Sequence, residues 1–194
     1  MASQYHFSSG AEPPSGSEDF TSNAKPPVAD AFSLLGVTPT FDVDLAALEK
    51  AFFERSKELH PDRFATAPAA ERVVALTRSR ALNDAYQTLK KPIARAEYML
   101  AQAGVTIGDN ERLDPAALMP ILEERELLAE AIQAKNVSAI ERMQADMQAT
   151  RAGELEHVRD GFARSDLVAV KQALILLRYI ERYLEACDAA LDEE

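Results

Sequence analysis

The chain has 194 residues, a formal net charge of −11, no Trp, one Cys, and an apolar share of 47% against 27% charged residues. That length and balance suit a globular protein of one medium domain or two small ones, and no apolar run reaches the roughly 18 residues needed to span a bilayer. The acidic total argues against nucleic acid as the main ligand, because phosphate neutralisation requires clustered Lys and Arg.

Cys187 alone permits no internal disulfide, which fits a reducing compartment. Together with His6, His60 and His157 it also cannot supply the four or so ligands of an iron–sulfur cluster or a structural zinc. No cofactor is therefore expected, and any link to such chemistry must run through a partner. The charge is unevenly spread. Residues 50–95 carry ten Lys/Arg against five Asp/Glu, whereas residues 104–194 carry ten against nineteen. A basic module followed by an acidic one predicts two surfaces with different partners.

Residues 1–29 are rich in Ser, Pro, Gly and Ala, lack periodic apolar positions and read as a disordered leader. They carry neither a secretory h-region nor an Arg-rich transit pattern, so the expected compartment is the bacterial cytoplasm. Asp30 then caps a short helix with Phe32, Leu34 and Leu35 that ends at Gly36. Asp42 or Asp44 caps a second helix, on which Leu45, Leu48, Phe52 and Leu59 recur at helical spacing until Pro61 forces a stop at His60. A loop runs through about Pro68. The third helix, from about Ala69 to Leu89, presents Val74, Thr77, Ala81, Leu82, Ala85, Tyr86 and Leu89. Pro92 opens a fourth, with Ile93, Tyr98, Met99 and Leu100, that stops at Gly104.

Residues 104–112 read as a linker, after which Asp114-Pro115 is a strong helix start. Leu118, Met119, Leu122, Leu128 and Ile132 follow, then a long segment from Ser138 to Arg164 and a last helix from Asp166 to about Leu191. Strand signals are weak throughout. The expected architecture is all-α: a helical module over residues 30–103 and a three-helix bundle over residues 113–194.

The decisive feature is His60-Pro61-Asp62 between two amphipathic helices, with Leu82-Asn83-Asp84-Ala85-Tyr86 on the second of them. Read alone, the tripeptide could be an interhelical turn, with Pro breaking and Asp capping. An acid–base pair of His60 and Asp62 is the enzymatic alternative, but no further group converges with them and no pocket is legible. In its setting, after a helix of about sixteen residues and Phe32-Ser33-Leu34-Leu35-Gly36-Val37, the region resembles the J-domain family of co-chaperones. The resemblance implies that His60, Pro61 and Asp62, with Lys50, Arg55 and Lys57 on the preceding helix and Arg63 beyond the tip, dock on a DnaK-type chaperone ATPase and stimulate it. Glu49, Glu54 and Glu58 dilute the basic helix, a departure that points to a specialised chaperone.

The second half narrows the resemblance. No Gly/Phe-rich linker and no Cys-x-x-Cys module follow. Instead Pro92-Ile93-Ala94-Arg95-Ala96-Glu97-Tyr98-Met99-Leu100, Leu118-Met119 and Glu123-Glu124-Arg125-Glu126-Leu127-Leu128 resemble the HscB family of iron–sulfur co-chaperones over essentially residues 31–190. That likeness implies an HscA-like chaperone partner and an IscU-type scaffold protein. The scaffold would be held on Leu118, Met119, Leu122 and Tyr179, with Glu123 and Glu126 at the edge. From periodicity alone, the Leu118–Leu122 stripe reads as core, and Pro120 in its midst predicts a kink or a late helix start. Cys187 and His157 read as packing and surface residues.

Overall fold

The structure, a computed structural model, describes residues 30–108 and 111–192; the leader, Asp109, Asn110 and the last two residues lie outside it. Among the described residues seven α-helices and one 3₁₀ turn account for all regular structure: α1 (Ala31–Leu35), α2 (Leu45–Glu58), the turn at Pro61–Phe64, α3 (Ala69–Lys90), α4 (Pro92–Gln102), α5 (Pro115–Gln133), α6 (Val137–Ala163) and α7 (Leu167–Asp192).

A five-residue helix is too short to persist alone in water. In α1 it is held at both ends. The Asp30 carboxylate accepts the Ser33 N–H at 3.0 Å, and Gly36 closes the helix at φ 66°. There the Val37 N–H returns to the Phe32 carbonyl at 3.0 Å. A side chain at position 36 would be strained in that backbone region and its Cβ would clash with the Arg55 guanidinium. Phe32 and Leu35 are fully buried between α2 and α3.

Asp44, rather than Asp42, caps α2, its Oδ1 accepting the Ala46 and Ala47 amides at 2.9 and 3.1 Å. The helix stops at Glu58, two residues short of His60. Leu48 is the side chain α2 buries completely, whereas Leu45 is exposed. Phe52 stacks on Tyr86 of α3 with ring centroids 4.3 Å apart, locking the α2–α3 hairpin. On α3, Val74 and Thr77 face solvent, contrary to expectation, and Ala75 is buried in their place. Its apolar positions straddle two stripes there, and only the one in line with Leu82, Ala85, Tyr86 and Leu89 meets α1 and α2.

In the C-terminal half α6 and α7 form a long antiparallel pair, closed by Val158, Val170, Leu174, Leu177 and Tyr183, with α5 laid across it. The fold is the all-α arrangement expected: a small hairpin module, then a three-helix bundle. The segment after Gly104 is not a loose connection, because Val105 and Ile107 pack on the bundle and Leu113 is buried.

The two halves meet through α4, every residue of whose Arg95–Tyr98 run is engaged. Burial lowers the Arg95 pKa while Asp42 opposes the shift. Its guanidinium donates to the Leu89 carbonyl at 2.6 Å, capping α3, and lies over the Phe41 ring. Ala96 joins Leu100 in the bundle core. Glu97 pairs with Arg178 of α7 at 2.9 Å. The Tyr98 hydroxyl donates to Asp30 and accepts the Ala31 N–H, each at 2.8 Å. Phe41 against Phe162 and Asp42 against Arg159 add a second contact between the halves.

Candidate functional site

Two surfaces carry the residues singled out from sequence. The first is the tip of the α2–α3 hairpin. Because His60 precedes a proline, its backbone is extended (φ −61°, ψ 130°), which turns the chain sharply out of α2. The Arg63 N–H then returns to the His60 carbonyl at 3.0 Å. The His60 Nδ1 accepts the Asp62 N–H at 3.3 Å, an arrangement that puts the proton of a neutral ring on Nε2 and leaves that nitrogen free. The Asp62 carboxylate lies 3.5 Å from Nδ1, with side-chain exposures of 60% for His60 and 91% for Asp62. A contact so exposed adds little stability. What the turn does is present an imidazole and a carboxylate in a set orientation.

Lys50 and Lys57 occupy one exposed side of α2, with Glu54 between them on the same stripe. Arg63 is exposed beside the tip and reaches back to the Lys57 carbonyl at 3.5 Å. Arg55 is not part of that group. It lies over Gly36 and, with Arg78 of α3, borders the groove between the hairpin helices. Among the described residues none of these five cations takes part in an ion pair. Arg78 carries no local motif that sequence could flag; only the packing of α3 against α2 brings it beside Arg55.

The second surface lies on α5. Its helix begins at Pro115, capped by Asp114 through the Ala116 N–H at 2.8 Å, and continues through Pro120. Neither a late start nor a break results. Inside the helix the apolar positions divide: Ile121 and Leu128 are buried, while Met119 is 54% and Leu122 40% exposed. The core reading of that stripe is thereby corrected for Met119 and Leu122. Leu118 and Tyr179 are half-buried against the small cluster of Leu113, Ile121 and Ile175. Glu123 and Glu126 stand exposed beside them. Leu127, 49% exposed on α5, escaped the sequence reading, since its neighbour Leu128 carries the core periodicity.

Cys187 is completely buried on α7, where burial and then Asp188 raise its thiol pKa. His157 is exposed and pairs with Glu154 at 3.2 Å. No helix among the described residues is long and apolar enough to cross a membrane.

A helical hairpin with an outturned His-Pro-Asp tip is the arrangement of a J-domain, and residues 30–98 match the DnaJ domain family. Residues 113–188 match the family described as the HSCB C-terminal oligomerisation domain. The chain belongs to the HscB family of co-chaperones. It is 33% identical over 163 residues to the co-chaperone protein HscB homolog of Burkholderia multivorans, covering 83% of this chain and 93% of that one. The homolog of Pseudoalteromonas atlantica is 37% identical over 153 residues, which are 77% of this chain and 87% of the relative. Among solved structures, HscB from Vibrio cholerae superposes with a TM-score of 0.78 at 31% identity, covering 84% of this chain and 98% of that one. Human HscB gives 0.79 at 28% identity, covering 84% and 82%.

Proposed function

We propose that this co-chaperone serves iron–sulfur cluster assembly by tethering and triggering. The acidic C-terminal bundle binds an IscU-type scaffold protein, and the N-terminal module brings it to an HscA-like chaperone of the DnaK type. There His60, Pro61 and Asp62 promote ATP hydrolysis. Lys50, Lys57 and Arg63 steer the approach by charge, with Arg55 and Arg78 at the neighbouring groove. The chain performs no chemistry of its own, and its place of work is the cytoplasm of a bacterium.

The observation that carries this reading is the outward turn of His60-Pro61-Asp62 on a hairpin otherwise closed by its own core. Two further features support it. Met119 and Leu122 are large apolar side chains left in water on a helix that buries its other stripe, the mark of a protein-binding surface. Glu123 and Glu126 give that surface a charge opposite to the hairpin's. Linking two weak contacts on one rigid chain raises the effective concentration of scaffold at the chaperone without a tight contact on either side.

ATP turnover by an HscA-type chaperone provides the test, with this chain and the scaffold added separately and together. The two together should stimulate more than the sum of each alone. Equal stimulation with and without scaffold would leave the hairpin's role standing and remove the tether.

A further inference from the structure

Two half-buried apolar side chains bracket the tip, Leu59 just before His60 and Phe64 just after Arg63. Both line a groove of about 290 Å³ between the turn and the start of α3. From α3 the groove takes the buried Ala75 and Val74, which is 49% exposed. Glu71 and Arg78 border it, both exposed and neither in an ion pair among the described residues.

Leu59 also packs on the hairpin core. Phe64 and Val74 do not: neither joins any of the three clusters of buried side chains. An aromatic ring and a branched side chain held apart from the core, on either side of an open recess, mark a surface that receives another protein.

The tip says which protein. The groove is built from the turn itself, so whatever contacts His60 and Asp62 meets residues one or two peptide units from its wall. A specific interface covers about 800 Å² on each partner, a patch of about 16 Å radius, which the tip alone cannot fill. Exposed charges such as those of Asp62 and Arg63 speed and orient an encounter more than they hold a complex. Holding one takes a desolvated apolar anchor near the centre of the contact. With one acid and one base on its rim, the groove selects for no net charge, and its walls suit an aliphatic or aromatic side chain.

We propose that this groove receives an apolar side chain of the DnaK-type chaperone engaged by the His60 tip, seated between Phe64 and Val74. Val74 then sets affinity, while His60 sets the hydrolytic stimulus. The proposal rests on the chaperone-docking reading of the tip and adds an anchor to it.

ATP turnover by an HscA-type chaperone, titrated with the full chain, tests it by separating the half-maximal concentration from the maximal rate. The variants are Val74→Gln, the conservative Val74→Ile, Val73→Gln and His60→Gln, with helicity by circular dichroism as the folding control. Val73 is 64% exposed beside Val74 and does not line the groove, so Val73→Gln makes the same change to the helix without touching the wall. Val74→Gln should raise the half-maximal concentration about tenfold at an unchanged maximal rate. Val74→Ile and Val73→Gln should match the wild type, and His60→Gln should lose the maximal rate. An unshifted half-maximal concentration in Val74→Gln, with stimulation lost in His60→Gln, would overturn the groove and keep the tip. Equal weakening by Val73→Gln and Val74→Gln would overturn the groove in favour of a general apolar surface. Sedimentation that rises with concentration for the wild type and not for Val74→Gln would place a second copy in the groove and overturn the proposal. Absence of stimulation by the wild type would overturn both the groove and the docking reading.

Discussion

Asp30 does more than start the first helix. Burial opposes its ionisation, but hydrogen bonds from the Tyr98 hydroxyl, the Ser33 amide and hydroxyl and Gln102 more than offset this and bring its pKa down to about 2. A carboxyl held below its unfolded value of 3.8 stabilises the fold fully above that value and loses the contribution as pH falls toward about 2. Urea unfolding between pH 5 and 2 should therefore show a steeper acid loss for the wild type than for Asp30→Asn. Parallel curves would mean that the Asp30–Tyr98 contact contributes nothing. The residue's capping role was legible in sequence. Its partner 68 positions away was not, since nothing local to Tyr98 tells a core aromatic from one whose hydroxyl ties two helices.

At the scale of the helix, α5 combines features that sequence alone set against each other. Pro120 removes one amide from the helix interior, yet the helix runs on, because the proline is exposed and the carbonyl left over can be solvated. Pro120→Ala should restore that bond and raise stability by about 1–3 kcal/mol in thermal or urea unfolding, with the Met119–Leu122 surface intact. A destabilised variant would show that the proline's shape is needed where it stands.

The boundaries of α1, α4 and α5 could be read from Asp30, Gly36, Pro92 and Asp114-Pro115, because caps act locally. Which apolar stripe faces inward could not. Leu45, Val74, Met119 and Leu122 all have core-like spacing, and all are exposed because the neighbouring helix packs on the adjacent stripe. The tip at His60 was legible for the opposite reason: a proline dictates the backbone before it, whatever packs nearby.

Over the whole molecule, α4 joins the two halves, with the Phe41–Phe162 and Asp42–Arg159 contacts beside it. Ala96 and Leu100 of α4 belong to the bundle core while Tyr98 holds α1, so the hairpin and the bundle cannot loosen independently of α4. Leu100 is fully buried. Its replacement by Ala should cost about 2–5 kcal/mol and lower the unfolding midpoint of both halves together. Separate transitions, followed by amide exchange in α2 and α6, would contradict a single cooperative unit. A bundle cut near Gly104 loses Ala96 and Leu100 from its core, which makes the full chain the proper reagent for binding work. These contacts connect the His60 tip to the Met119 surface through packed helices, as the proposed tether requires.

The most direct test of the co-chaperone role is the ATPase rate of an HscA-type chaperone in the presence of scaffold, comparing the wild type with His60→Gln. The His60 side chain is exposed at the tip, so helicity and scaffold binding should be unchanged in the variant. Strong stimulation by the wild type, lost in the variant, is the predicted result; equal stimulation by the two, or none by either, would contradict it.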